Sequence, residues 1–301
     1  MRKFPFIQTS VFIDDRFPFS GNQLATFWNL SDEDLTTEEM QGITQEMNFS
    51  ETTFVLPSTH PKCVRKVRIF TPGREIPFAG HPTLGTAFVL KREGIIKDDD
   101  SKAYLELGIG PTTVRFSGQN HIQMIQANPE FLEEFPNKTV ISEVLGIAPS
   151  YIEDRWPIQF VSTGFPFLIV PLTSLKAIQA IRLDTGLLLE VLEDFPSQAL
   201  DVFTCDTVHP DSHVHVRMFA PDVGVLEDPA TGSAAGPLGT YLETYECLSN
   251  RARGAEIVLE QGYEILRPSK LHVECRYEEG KISEAIVGGQ VRLTAEGVFF
   301  L

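Results

Sequence analysis

The stretch VRMFAPDVGVLEDPATGSAAGPLGTYL, Val216–Leu242, decides how this chain is read. It starts with strand-like alternation, breaks at Pro221, and crosses a loop that ends in Pro229-Ala230-Thr231-Gly232. From Gly232 small residues lead into an apolar run at helical spacing, so a helix begins there. That helix is apolar nearly all round, and no face of it suits water, so strands must surround it. Its first turn carries bare N–H donors and partial positive charge. Glu227 and Asp228 lie just ahead of it.

The same order of features occurs once more. VRIFTPGREIPFAGHPTLGTAF, Val67–Phe88, also runs Val-Arg-x-Phe-x-Pro, a loop, Pro-x-x-Gly and a small-residue helix. Gly80-His81 aligns with Gly232-Ser233. A repeat of this length reads as one unit used twice. The expected fold is α+β, with two pseudo-symmetric lobes over residues 1–126 and 127–301. Each lobe is expected to be a β-barrel-like sheet wrapped around a central apolar helix. The active site is expected in the cleft between them, with both helix starts pointing into it and the last strand free to cross back to the first lobe.

The rest of the pattern supplies the strands. Phe6–Phe12, ETTFVLP closed by Pro57, and CVRKVRIFTP ending at Pro72 are strand-like. SDEDLTTEEMQGITQEM reads as a helix capped by Thr36 or Thr37, with Leu35, Met40, Ile43 and Met47 on its apolar face. RWPIQFVSTGFPFLIVPL is two strands about a Gly-Phe-Pro turn, and turn signals at Glu279-Gly280 and Glu296-Gly297 divide the C-terminal strands. SHVHVRMFAP is a strand that puts His213, His215 and Arg217 on one face. With no complete set of metal ligands, that face reads as solvated.

Composition narrows the function classes. The 301 residues carry a formal net charge of -16, with 42% hydrophobic and 10% aromatic residues, which fits a protein with a real core. The acid excess argues against general affinity for nucleic acid or anionic membrane. No segment approaches the length of a membrane span, and MRKFPFIQTSVF is not a secretory signal. Cys63, Cys205, Cys247 and Cys275 lie far apart without a CxxC pair and read as reduced thiols of a cytoplasmic protein. GIGPTT lacks dinucleotide-binding spacing, and no phosphate-binding loop is present.

SGNQLA, NFSETTFV, VRIFTPGREIPFAGHPTLG, VRMFAPDVGVLEDPATGSAAG, QGYEILRPS and VGGQVRL, in this order from Ser20 to Leu293, resemble the PhzF family of phenazine-biosynthesis-like isomerases, which share the diaminopimelate epimerase fold. FAGHPT and EDPATGSA together are specific. The resemblance implies proton transfer without metal or organic cofactor on a small carboxylate-bearing substrate. It implies Glu51 as general acid and base, with His81 and Asp228 as catalytic partners. Gly80, His81, Gly232, Ser233 and Ser50 would bind the substrate. Family members are commonly dimeric, so a homodimer is implied as well. Gln23 stands where the family usually has proline and Leu266 where it often has glycine. The related epimerases carry a pair of cysteines at the two helix starts; here those positions are His81 and Ser233.

Each residue also has a plainer reading. Glu51 alone is a solvated acid at a strand start; in an apolar setting its proton affinity rises toward neutrality. Asp228 is a helix cap or a loop hydrogen-bonder, or an acceptor that orients a protonated substrate group or His81. Glu227 reads as facing away, in a structural hydrogen bond or toward solvent, and Glu75, in the equivalent loop, reads as mainly structural. A lone histidine is usually structural, yet at a positive helix end a neutral His81 can donate an N–H to a substrate oxygen. Ser233 lacks a nucleophile elbow and reads as a hydrogen-bond donor. The N–H groups at Gly80, His81, Gly232 and Ser233 suit a carboxylate. Two rivals to the proton-shifting isomerase remain: an amino-acid epimerase or racemase with non-thiol bases, and a metabolite-binding protein without turnover.

Overall fold

In the computed structural model, which describes residues 1–118, 120–249 and 251–301, the chain divides into two units. One is Met1–Ile125 with Gly288–Leu301, the other Gln126–Val287. The first carries β1 (Lys3–Val11), β2 (Asn22–Phe27), α1 (Thr37–Met47), β3 (Glu51–Leu56), β4 (Arg65–Phe70), β5 (Glu75–Ile76), α2 (Gly80–Arg92), β6 (Lys102–Leu107), β7 (Gly110–Ser117) and β8 (His121–Ile125). The second carries β9 (Glu130–Glu134), α3 (Lys138–Leu145), β10 (Gln159–Ser162), β11 (Pro166–Pro171), α4 (Leu175–Gln179), α5 (Thr185–Val191), β12 (Leu200–Thr204), β13 (Val214–Ala220), β14 (Val225–Asp228), α6 (Gly232–Thr244), β15 (Ile257–Gln261) and β16 (Ser269–Glu278). The last strand, β17 (Lys281–Phe300), begins in the second unit and ends in the first.

The repeat seen in the sequence extends to the pairing of strands. In the first unit β1 pairs antiparallel with β2, β2 parallel with β3, β3 antiparallel with β4, and β4 parallel with β6. In the second, β10–β11, β11–β12, β12–β13 and β13–β15 repeat that series of directions. Pairings β6–β7, β7–β8, β8–β17 and β17–β1 close the first set into an eight-stranded barrel. Its axis is filled by α2, of which ten residues from Gly80 to Leu90 are buried. In the second unit α6 is buried just as deeply and packs on β10, β11 and β16. Both helices lie against strands so closely that a methyl group has no room. A Cβ on Gly85 would meet Leu24 at 2.5 Å, and one on Gly239 would meet Val273 at 2.4 Å.

A second shared device is an arginine clamp. Arg68 on β4 holds both oxygens of Glu75, at 2.8 and 2.6 Å, and Arg217 on β13 holds both oxygens of Glu227, at 2.8 and 2.7 Å. Each pair ties the Val-Arg-x-Phe strand to the loop that leads into its central helix. Glu75 and Glu227 thus have the structural part expected of them. α1 starts at Thr37 with Thr36 as its cap, in a reciprocal capping box with Glu39. Met40 and Ile43 are buried on its inner face.

Two expectations fail. There is no turn at Glu296-Gly297, because β17 runs through to Phe300 paired with β1. Gly297 lies opposite Phe6, whose ring would be 2.7 Å from any Cβ there, so this glycine makes room for an aromatic ring. The second failure is the histidine-bearing face of β13, which is not solvated: all seven residues of the strand are buried. The covering elements are α4, whose Ile178 carbonyl accepts from Arg217 Nη1, and the loop bearing Tyr263 and Glu264.

His215 there has no exposed surface. Its Nδ1 lies 2.8 Å from Glu260 and its Nε2 3.0 Å from Glu264. Burial alone lowers an imidazole pKa, but the bonds to the two carboxylates outweigh it and the pKa is raised. Burial likewise opposes ionisation of Glu260 and Glu264, and the bonds to His215 bring both below the usual carboxylate range. His215→Gln is expected to cost about 2 kcal/mol of stability below pH 6, since hydrogen bonds to charged groups are each worth that order. A raised folded-state pKa gives stability below the unfolded value that is lost as pH rises through the folded one. Urea unfolding from pH 5 to 9 should therefore show the gap between wild type and variant narrowing as pH rises.

Leu266 stands where the family pattern favours glycine, and it has the left-handed backbone, φ 59°, that glycine adopts without strain. Its side chain is 82% exposed, so little packing offsets that conformation. Leu266→Gly should raise stability by up to about 1 kcal/mol, read from the urea midpoint.

Candidate active site

Glu51 opens β3, and the parallel register sets it opposite Leu24 of β2. His81 is the second residue of α2, 2% exposed. The barrel brings the two together, with His81 Nδ1 3.6 Å from Glu51 Oε2. Burial pushes the His81 imidazole down to about 3, against a raising effect from the Gln23 carbonyl. The ring is therefore neutral at physiological pH, and its approach to Glu51 is not an ion pair. Asn22, on β2 and itself buried, places its side-chain nitrogen 3.1 Å from the same Nδ1. The Gln23 carbonyl lies 3.3 Å from Nε2. Both ring nitrogens are thus engaged within this unit.

The strand that carries Asn22 is aimed by a tight approach. Gly21 has φ 78°, and a Cβ on it would meet the Val11 carbonyl at 2.6 Å. Only glycine fits there, ahead of Asn22. Gln23, in place of the family's proline, sits in regular β2 opposite Ser10, so the strand keeps its pairing. Ser50 immediately precedes β3 and Glu51.

In the second unit Asp228 ends β14 and is buried. Its Oδ2 accepts the Thr231 hydroxyl at 2.5 Å, and its carbonyl accepts Gln261 Nε2 at 2.8 Å. Gln261 returns to Thr231 twice, with Nε2 3.0 Å from the hydroxyl and Oε1 accepting the backbone N–H at 3.1 Å. Asp228 is thus bound to the residue before α6. Thr231, the residue placed to cap α6, turns its hydroxyl to Asp228, and α6 has no side-chain cap. α2 has none either, because its cap position is Ala79. Both central helices begin at the predicted glycines, Gly80 and Gly232, and in neither does the N-cap residue, Ala79 or Thr231, make a side-chain cap bond to the first turn.

Behind the start of α6, Gln126 donates to the Gly232 carbonyl at 2.7 Å and accepts from Thr163 at 2.5 Å. A Cβ on Gly236 would lie 1.7 Å from the Gln126 oxygen, so that glycine makes room for the amide. Ser233 is half-buried on the first turn. Burial pushes the Cys275 thiol up to about 12, which keeps it protonated. Among the described residues no cluster of His, Cys, Asp and Glu has the arrangement of a metal site.

The sequence profile of phenazine biosynthesis-like proteins (PhzC-PhzF) matches residues 10–297. The chain belongs to that family. It is 35% identical over 288 residues to the trans-2,3-dihydro-3-hydroxyanthranilate isomerase of Pseudomonas aeruginosa, covering 94% of this chain and 95% of that one. Its structure is similar to that of the Bacillus anthracis phenazine biosynthesis protein of the PhzF family, with TM-score 0.87 and 26% identity over the whole of both chains. The fold alone is shared with a probable proline racemase from Agrobacterium radiobacter, with TM-score 0.64 and 10% identity, covering 99% of this chain and 92% of that one. PhzF family and diaminopimelate epimerase-like fold therefore stand as read from the sequence, and the chain is an isomerase.

Asn22, Thr231 and Gln261 are absent from the sequence-based set of site residues. All three lie in stretches that carry the resemblance, SGNQLA, EDPATGSA and QGYEILRPS. None of the three side chains titrates, and their roles depend on the groups that face them in the fold.

Proposed function

We propose that this isomerase moves a proton within a small carboxylate-bearing molecule, by a suprafacial shift or a tautomerisation and without a cofactor. Glu51 takes a proton from one carbon, and the electron pair moves into the adjoining π system. The carboxyl so formed returns the proton to another carbon. No net oxidation occurs and no leaving group departs, so the step balances without an electron acceptor. The N–H groups of Gly80, His81, Gly232 and Ser233 hold the substrate carboxylate and steady the charge that develops beside it. Asp228, fixed by Thr231, orients a protonated group of the substrate. Ser50 lies next to the base.

The observation that carries the reading is the pairing of Glu51 with a buried, neutral His81 in the first turn of α2. The relative named for trans-2,3-dihydro-3-hydroxyanthranilate supplies the first compound to assay. The test is incubation in deuterated water with that compound and with metabolite extracts, followed by mass spectrometry. A species that gains one mass unit only with active enzyme, at a carbon other than its origin, supports the reading. Inversion at an α-carbon with wash-in at that same carbon would replace it with an epimerase. Tight binding of carboxylates with neither exchange into nor isomerisation of any of them would replace it with a binding protein.

A further inference from the structure

The contacts of His81 decide which nitrogen bears its proton. A backbone carbonyl only accepts, so Nε2, 3.3 Å from the Gln23 oxygen, must be the N–H. The ring is buried and neutral, so Nδ1 then holds a lone pair. Asn22 must answer that lone pair with its amide N–H, which fits the nitrogen placed 3.1 Å away. The titratable group that faces Nδ1 is Glu51, on β3, at 3.6 Å. The first turn of α2 adds no acid of its own.

We infer that Asn22 is a positioning residue that locks His81 as the neutral Nε2–H tautomer and thereby strengthens Glu51 as a base. The physical reason is the direction of the Nδ1 lone pair. A lone pair facing a carboxylate destabilises the charged form and favours the protonated one, so Glu51 binds its proton more tightly. The opposite tautomer, or an imidazolium, would donate to Glu51, stabilise the carboxylate and weaken it as a base. His81 therefore acts on the proton affinity of its neighbour. This rests on the reading of Glu51 as the acid–base group, but it concerns a property of the unliganded protein.

The test is NMR on the unliganded chain, with side-chain ¹⁵N signals of His81 assigned by a His81→Gln control and the Glu51 carboxyl carbon by Glu51→Gln. Wild-type His81 should show the Nε2–H tautomer and no titration from pH 5 to 9. Asn22→Asp sets a carboxylate beside Nδ1 and should raise the His81 pKa by about 1–3 units, the usual effect of an opposite charge at this range. Asn22→Leu removes the donor, frees Nδ1 to carry the proton toward Glu51, and should lower the Glu51 pKa. With a turned-over substrate, Asn22→Leu should lower kcat/KM about tenfold or more and move its acidic limb to lower pH. An Nδ1–H tautomer in the wild type would overturn the inference. So would a Glu51 pKa unchanged by Asn22→Leu in a folded variant. Turnover retained by Glu51→Gln would instead overturn the assignment of the base, leaving the NMR result to stand on its own.

Discussion

Glu51→Gln should lower the turnover number by about 10²–10⁴-fold, the usual worth of a general acid–base group. At 1.36 kcal/mol per factor of ten, that is roughly 3–5 kcal/mol of barrier. Glutamine keeps the size and much of the hydrogen bonding but cannot accept a proton from carbon. One residue that both removes and returns the proton should reach the upper end of the range, because both half-reactions fail together. KM should change far less, since the substrate carboxylate is assigned to the helix starts. His81→Ala and Asp228→Ala should raise KM and lower kcat together if, as proposed, each touches the substrate without carrying its proton. Deuterium wash-in should fall in step with turnover in Glu51→Gln. If Glu51→Gln turns over normally while Asp228→Asn does not, the base lies on the other carboxylate.

Much of the fold was legible because the repeat is written in residues with strict local meaning. Proline ends the Val-Arg-x-Phe strand in both halves, and glycine begins each central helix at Gly80 and Gly232. An all-round apolar helix admits only an enclosing sheet, and the enclosing strands are there. The arginine clamps were half legible. Glu75 and Glu227 read as structural, but their partners Arg68 and Arg217 lie four residues before the strand-ending prolines and show no pairing signal in sequence.

What was not legible depended on long-range covering. His215 and Arg217 alternate with valines and methionine, the usual pattern of a strand with one wet face. The wet face is instead closed by α4, whose Ile178 lies 39 residues before Arg217, and by the loop of Tyr263 and Glu264, whose Glu264 lies 49 residues after His215. Gly297 looked like a turn because glycine marks turns, whereas the requirement it meets is the ring of Phe6 on a strand nearly three hundred residues earlier. Asn22 and Gln261 are of the same kind. An amide tells nothing of its role until the groups that face it are known.

Asp201 gives the second large effect. It lies on β12, 1% exposed, and among the described residues neither carboxyl oxygen has a hydrogen-bond partner. Burial drives its pKa well above the usual carboxylate range. The repeat explains why the position is polar. Asp201 pairs with Met218 and Ile169 as Thr53 pairs with Ile69 and Thr26, so the two residues are equivalent. Thr53 is satisfied by the hydroxyls of Thr26 and Thr86, at 3.0 and 2.9 Å. The residues at those places in the second unit are Ile169 and Leu238, which offer no side-chain donor. Asp201 therefore stays protonated in the folded state while it ionises in the unfolded chain. The folded state then binds the extra proton, and stability falls as pH rises, by about 1.4 kcal/mol per unit, from the unfolded pKa near 4 up to the folded value. Asp201→Asn removes that dependence. The difference in unfolding free energy between variant and wild type should grow with that slope from pH 5 upward, and other groups cancel in the difference. Asp201→Leu should gain about 1–3 kcal/mol more at every pH by removing the unsatisfied polar group. Parallel stability curves for wild type and Asp201→Asn from pH 5 to 8 would mean that Asp201 has the same charge folded and unfolded, and that the burial of this carboxyl is matched by a partner.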